Sequence, residues 1–92
     1  GIEAVLAVLE SRGIVVLGAD IQFYEIPVPP SLVGLSLDSS RIGAETGMIV
    51  LGVEGPDGLD VYPYRQKRFT PKMTLYALGS TSQRRAFNRQ FG

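Results

Sequence analysis

The apolar positions of the first segment follow the spacing of a helix. Four apolar side chains are separated there by three, one and three residues, which places them on one helix face: Ile2, Val5, Leu6 and Leu9. We therefore predict an amphipathic helix over residues 2–12, which Gly13 ends because glycine adopts the left-handed conformation after a helix without strain. We assign residues 1–16 to this N-terminal helix and a linker from a preceding segment, and residues 17–92 to one folded domain.

Beyond this segment, the hydrophobic pattern is typical of short strands separated by turns. A strand over residues 21–26 is followed by Pro27, which has no amide hydrogen to donate to a sheet. Three more strands are expected, at residues 48–54, 59–64 and 73–78. The turn Gly55-Pro56-Asp57-Gly58 predicts an antiparallel hairpin between the first two of these, because proline fixes φ and glycine accepts a positive φ.

Two helices complete the expected order of elements. A short helix over residues 40–45 is capped within the run Asp38-Ser39-Ser40, and a closing helix over residues 83–91 turns Phe87 inward and its arginines outward. Buried anchors are expected near the short helix from four residues: Leu32, Leu35, Leu37 and Ile42. The predicted order is (α)-β-α-β-β-β-α. The fold class is α+β, with one mainly antiparallel β-sheet covered by helices.

The composition is that of a single globular domain, and it excludes several chemistries. Of the 92 residues, 45% are hydrophobic and 20% are charged, which is close to the average of folded domains. There is no cysteine and no histidine, so the usual strong nucleophile and the usual general base are both missing, and we expect no enzymatic activity. No apolar run approaches the roughly 18–20 residues that span a bilayer. We interpret the chain as a fragment of a longer, cytosolic protein.

Charge is divided unevenly along the chain. All nine acidic residues lie within residues 1–60, together with only Arg12 and Arg41. Residues 61–92 contain no acid and seven basic residues: Arg65, Lys67, Arg68, Lys72, Arg84, Arg85 and Arg89. This asymmetry indicates either a basic site for an anion or a basic face that meets an acidic one. The second interpretation is favoured, with the basic charges neutralised by acidic residues within the fold or on a partner subunit.

The loop at residues 65–72 is the main candidate binding feature. Its basic residues Arg65, Lys67 and Arg68 have aromatic neighbours at Tyr62, Tyr64 and Phe69, a combination found on nucleotide and nucleic-acid surfaces. Arginine can hold a phosphate with two parallel hydrogen bonds. Three interpretations remain open: a solvated loop, which is favoured, an anion site, and pairing with acidic residues of a partner subunit.

Hard oxygen ligands of the kind that calcium prefers come from four residues: Glu45, Glu54, Asp57 and Asp60. Their spacing does not assemble a coordination shell, so we interpret them as single surface charges and assign no metal site. Tyr24, Tyr76 and Phe87 are expected in the core or at a dimer contact.

An ordered set of short motifs resembles the TrkA-C family, the C-terminal lobe of RCK domains. Residues 30–37, PSLVGLSL, are followed by TGMIVLGV at residues 46–53 and by LYALGS at residues 75–80. The family has a similar loop, short helix, glycine and strands in this order, and the resemblance covers roughly residues 20–91. Two departures stand out. The family's acidic "LxxGD" is replaced by Phe69-Thr70-Pro71-Lys72-Met73, and Gly43 stands where some members bind cyclic di-AMP with an arginine, Arg41 being two residues away. Cyclic di-AMP itself is therefore not predicted.

The resemblance implies a function for residues 17–92. Such domains are cytosolic, dimerise, sense a ligand, and modulate potassium or other cation channels and transporters. No cofactor is identifiable, but a small anionic ligand of the nucleotide type or a divalent cation is compatible with the family. The candidate ligand-binding residues are Arg65, Lys67, Arg68 and Arg41. The alternative is an assembly module of the same fold without any ligand.

The resemblance also implies partners and a location. The expected partners are a second copy in a homodimer or larger ring, a membrane channel or transporter subunit, and an RCK N-lobe in the full-length chain. Nucleic acid is not an expected partner. The domain is expected in the cytoplasm, at the inner face of the plasma membrane through its parent protein.

Overall fold

The computed structural model describes residues 20–61 and 63–92. The helix predicted at residues 2–12 and the division between residues 1–16 and 17–92 lie outside the described residues. The strands are β1 Gln22–Pro27, β2 Ile49–Gly55, β3 Gly58–Val61 and β4 Thr74–Gly79. The helices are α1 Leu37–Ser40, α2 Ile42–Thr46 and α3 Thr81–Phe91, and a 3₁₀ turn spans Pro30–Leu32. None of these helices is long and apolar enough to cross a membrane.

The four strands form one antiparallel sheet in the order β1-β4-β2-β3. The hairpin between β2 and β3 closes at the pair Gly55–Gly58, where Gly58 has a φ of 112°. β1 reaches β4 from far along the chain and pairs Ile26 with Leu75. The predicted α+β class and antiparallel sheet are confirmed. β3 ends at Val61 rather than at residue 64.

Strand alternation sends one set of side chains into the main core. Ile26, Val53 and Leu75 point to the sheet face on which the helices lie, and Phe87 and Phe91 of α3 pack against them. The two phenyl rings of α3 are 5.1 Å apart at their centroids. This is the inward face predicted for the closing helix.

The opposite sheet face, which we call the second face, carries a separate apolar cluster. Leu51 of β2 and Tyr76 of β4 are buried at its centre, and four partly buried side chains surround them: Phe23, Leu59, Val61 and Leu78. The Phe23 and Tyr76 rings lie 6.0 Å apart. Val50 packs against the main core and Leu51 joins the second cluster, because neighbouring residues of a strand point to opposite faces.

Helix α3 begins earlier than the sequence predicts because its N-terminus is capped. The Ser80 hydroxyl accepts a hydrogen bond from the Gln83 backbone at 3.2 Å, and the Gln83 side chain accepts one from the Ser80 backbone at 2.9 Å. Arg84, which we expected to point outward, is half-buried, and its guanidinium lies 5.7 Å from the centroid of the Tyr24 ring. The expectation was wrong for Arg84 because its aliphatic stem and planar head pack along aromatic side chains.

The single helix predicted at residues 40–45 is two short helices. Arg41 has a φ of 56° and a ψ of 35°, a left-handed conformation that separates α1 from α2. The cap of α1 is Ser36, upstream of the predicted capping run. Leu35, predicted as a buried anchor, is exposed, so the prediction was wrong for this residue; its carbonyl accepts a hydrogen bond from the Phe69 amide at 2.9 Å.

Candidate anion-binding site

Backbone hydrogen bonds hold the basic loop in place. The Leu37 amide donates to the Lys67 carbonyl at 2.9 Å, and the Asp38 amide donates to the Arg65 carbonyl at 2.7 Å. Phe69, with 1% of its surface exposed, anchors the far end of the loop in the main core. The loop therefore runs as an antiparallel partner of residues 34–38, which fixes where its charged side chains emerge.

Two of the four predicted ligand-binding residues, Arg41 and Arg65, meet at one cleft. The cleft has a volume of about 300 Å³ and lies between the junction of α1 with α2 and the start of the basic loop. Leu37 and Val50, both partly exposed, contribute its apolar floor, together with the almost fully buried Ile42 and Met48. The rim thus carries two cations above a surface that can accept a flat apolar group.

Each rim arginine already has an exposed carboxylate beside it. Arg65 Nε lies 3.5 Å from Asp38 Oδ1, with 81% and 59% of the two side chains exposed. Arg41 Nε lies 3.5 Å from Glu45 Oε1, one helical turn away. Ion pairs this exposed contribute little stability, about 0–1 kcal/mol each. An incoming anion can therefore replace either carboxylate at small cost.

The other two predicted residues lie elsewhere. Lys67 Nζ is 3.1 Å from Asp60 Oδ2 and only 23% of the lysine side chain is exposed, so it fastens the loop to β3. Arg68 Nη1 donates to the Gly34 carbonyl at 2.7 Å. Neither lines the cleft, so the four basic residues do not form one site.

Sequence reasoning missed Asp38 and the apolar floor of the cleft. Asp38 lines the cleft and lowers its net charge, since its carboxylate offsets part of the positive charge of the two arginines. Leu37 and Asp38 precede Arg41 and Val50 follows it, so the left-handed conformation of Arg41 helps to set how the sides of the cleft meet. No local pattern signals that conformation in an arginine, which adopts it rarely.

Other functional groups of the described chain lie outside the cleft. Among residues 20–61 and 63–92, no three acidic, histidine or cysteine side chains gather as metal ligands would. Within the same described residues, an ionisable group with a clearly raised pKa lies on the second face. There, burial and then the hydrogen bond to Glu54 raise the pKa of Tyr76 to about 12.

Comparison with known proteins shows the fold. No protein-family model matches the sequence. No curated protein matches it either. Solved structures match over most of the chain. The GsuK channel bound to NAD has a TM-score of 0.73 and 21% identity, over 96% of this chain and 17% of that one.

Two further structures are matched over most of their own length. The RCK C domain of the potassium transport protein KtrA, in complex with c-di-AMP, has a TM-score of 0.71 and 16% identity, over 97% of this chain and 98% of that one. The RCK_C dimer of S. agalactiae BusR with c-di-AMP has a TM-score of 0.69 and 17% identity, over 79% and 93% of the two chains. BusR also occurs in complex with its busAB-promotor DNA.

The likeness concerns architecture, because identities of 16–21% carry no residue roles from one protein to the other. The chain spans about a fifth of the length of the GsuK chains or less. The same antiparallel sheet and helices are nevertheless present, and the resemblance predicted from the sequence is confirmed at this level. The chain has the fold of an RCK C-terminal (TrkA-C) domain.

Proposed function

We propose that this chain is a non-enzymatic regulatory domain that binds a small anionic ligand of the nucleotide type and modulates a potassium or other cation channel or transporter. The observation that carries the proposal is the cleft with Arg41 and Arg65 on its rim and an apolar floor beneath them. Support also comes from the neighbours of the same fold, since the GsuK channel holds NAD and the KtrA domain holds c-di-AMP.

The chemistry of the cleft fits one phosphate with an attached ring. Two guanidinium groups offer paired hydrogen-bond donors that match phosphate oxygens, whereas Asp38 and Glu45 now approach them only at 3.5 Å from Nε. Leu37 and Val50, the partly exposed residues of the apolar floor, would take the flat face of a base. A volume of about 300 Å³ lies at the lower end of small-molecule sites, which favours a mononucleotide-sized group over a larger one.

Regulation would follow from different affinities of the ligand for two arrangements of the domain. A ligand shifts a two-state gate only by that difference in affinity. The domain is proposed to act as a homodimer, as the BusR domain does with c-di-AMP. In the complete protein, its partners would be an RCK N-lobe and a membrane subunit on the cytoplasmic side.

The experiment is thermal unfolding with nucleotides, cyclic dinucleotides and divalent cations, each at several concentrations. A ligand at a hundred times its dissociation constant adds roughly 2.7 kcal/mol to the free energy of unfolding, which raises the midpoint by on the order of 10 °C. Arg41→Ala and Arg65→Ala should each remove the rise caused by an anion. Arg85→Ala, which removes an exposed arginine from α3, should leave it intact.

The alternatives predict different results in the same panel. An assembly module without a ligand gives no rise with any compound. A rise that survives Arg41→Ala and Arg65→Ala contradicts the site. DNA binding is a further alternative, because the matched BusR structure contains promoter DNA. A DNA-binding domain would bind a DNA duplex with an affinity that falls steeply with salt.

A further inference from the structure

Asp38 lies between the two rim arginines of the cleft, and its backbone is hydrogen-bonded to both of them. Its amide donates to the Arg65 carbonyl at 2.7 Å, and its carbonyl accepts from the Arg41 amide at 3.2 Å. Its side chain lines the cleft, with Oδ1 3.5 Å from Arg65 Nε. An anion can take the place of this carboxylate at Arg65, but Asp38 stays beside the cleft because both backbone hydrogen bonds hold the residue there.

The charged side chains that line the cleft, counted over the described residues, sum to a single positive charge. Arg41 and Arg65 contribute two positive charges, and Asp38 removes one. Glu45 is not among the lining residues, but its Oε1 lies 3.5 Å from Arg41 Nε, so it offsets part of the charge that remains. A phosphate with one negative charge therefore matches the lining, whereas a second negative charge exceeds what these arginines can neutralise.

The second charge of a phosphate also makes binding in the cleft less favourable. Taking an ion out of water costs more when its charge is higher, and the apolar side chains of Leu37 and Val50 cannot compensate for that cost. Repulsion by the Asp38 carboxylate also grows in proportion to the charge of the ligand. Two anions on one guanidinium are roughly 6 Å apart, and in water a unit charge at that distance changes an affinity about three-fold for each charge on the ligand. The value for water applies because 59% of the Asp38 side chain is exposed.

We infer that Asp38 determines which phosphates the cleft accepts. Its carboxylate makes the cleft select a phosphodiester, which carries one negative charge, over a phosphomonoester or a polyphosphate, which carries two or more at pH 7 and above. Asp38 acts by repulsion, since a specific site can reject the wrong ligand with a like charge as well as attract the right one. The inference rests on the proposed function, because it names the class of anion for the same cleft.

The test compares two nucleotides that share a base and a sugar. At pH 8 and low salt, the phosphate of adenosine 3′,5′-cyclic monophosphate carries one negative charge, and that of adenosine 5′-monophosphate carries two. Binding is followed by NMR through the side-chain Nε–H signals of Arg41 and Arg65, which detect weak binding and report its place. We expect the unaltered chain to bind the cyclic nucleotide more tightly than the monophosphate, by about three-fold or more.

Asp38→Asn removes the carboxylate and should weaken this preference. The affinity for the cyclic nucleotide should rise about three-fold and that for the monophosphate about ten-fold, because repulsion acts on each charge of the ligand. Asp38→Ala should have the same effect, which separates the charge of the side chain from its shape. Asp57→Asn is the matched control, since it removes an equal charge from the exposed hairpin turn and should leave both affinities unchanged.

Each other outcome rejects a specific part of the argument. Equal gains for the two nucleotides in Asp38→Asn, or tighter binding of the monophosphate by the unaltered chain, would overturn the role of Asp38 and leave the anion site standing. Gains of the same size in Asp57→Asn would show that the net charge of the whole chain sets the preference. If neither nucleotide shifts the arginine signals in any of these proteins, the proposed function is wrong, and the selection by Asp38 is rejected with it.

Discussion

At the scale of single residues, Arg41 combines backbone strain with a place on the rim of the cleft. Its left-handed conformation costs an ordinary L-residue roughly 1–2 kcal/mol, and glycine adopts it freely. Arg41→Gly and Arg41→Ala both remove the guanidinium, so their difference isolates the backbone. We expect Arg41→Gly to be more stable than Arg41→Ala by about 1 kcal/mol in urea unfolding. Equal stabilities would mean that the junction of α1 and α2 relaxes in solution.

Tyr76 makes the stability of the fold depend on pH in the alkaline range. Its pKa is raised from 10.0 to about 12, mainly by burial, so between these values the folded chain keeps a proton that the unfolded chain has lost. The unfolded state then binds fewer protons, and the free energy of unfolding falls as pH rises from 10 to 12, by on the order of 2–3 kcal/mol in total. Below pH 10 this contribution is fully present.

The measurement is urea unfolding at several pH values from 8 to 12. Tyr76→Phe should flatten the decline, because phenylalanine has no proton to lose. Tyr64→Phe, at an exposed tyrosine, is the matched control. Its free energy of unfolding should fall with pH as that of the unaltered protein does. A decline of the same size in both variants would show that other groups cause it.

At the scale of elements, the first turn of α3 depends on its capping box. Ser80→Ala removes the hydroxyl that accepts from the Gln83 backbone and should cost about 1 kcal/mol, or roughly 5 °C in the midpoint of thermal unfolding. Gln90→Ala alters an exposed polar residue of the same helix far from the cap and should change the midpoint little. If the two variants have the same midpoint of thermal unfolding, the capping box does not stabilise the helix.

Elements whose signals are local could be predicted from the sequence. The apolar run before Gly55 is β2, and the proline and glycine after it form the hairpin turn, because turn chemistry fixes φ without help from distant residues. Gly47 ends α2 with a φ of 79°, a conformation that glycine adopts without strain. The break at Arg41 could not be predicted, since arginine rarely adopts the left-handed conformation and nothing in the local sequence signals it.

The candidate site shows the same division between local and long-range information. The sequence indicated that Arg41 and Arg65 were candidates, but it did not separate them from Lys67 and Arg68. That separation depends on the pairing of the basic loop with residues 34–38, and on where Asp60 lies at the end of the hairpin. Contacts between residues so far apart in sequence leave no periodicity to detect.

At the scale of the whole molecule, the proposed homodimer has a thermodynamic consequence. Folding of a small domain buries a modest apolar surface, so association adds a large share of its stability. If unfolding separates two chains, a tenfold increase in protein concentration adds about 1.4 kcal/mol per dimer and raises the midpoint by roughly 3–5 °C. A monomer has a midpoint that does not depend on concentration.

The measurement is calorimetric unfolding over a hundredfold range of concentration, with the mass followed by light scattering. A dimer should weigh twice the 10.0 kDa of the chain and lose that mass on dilution as its midpoint falls. A constant midpoint with a mass of one chain would contradict dimerisation of this domain by itself. The variants Arg41→Ala and Arg65→Ala distinguish two roles for the cleft: if they lower the mass without any ligand present, the arginines contact the partner subunit rather than an anion.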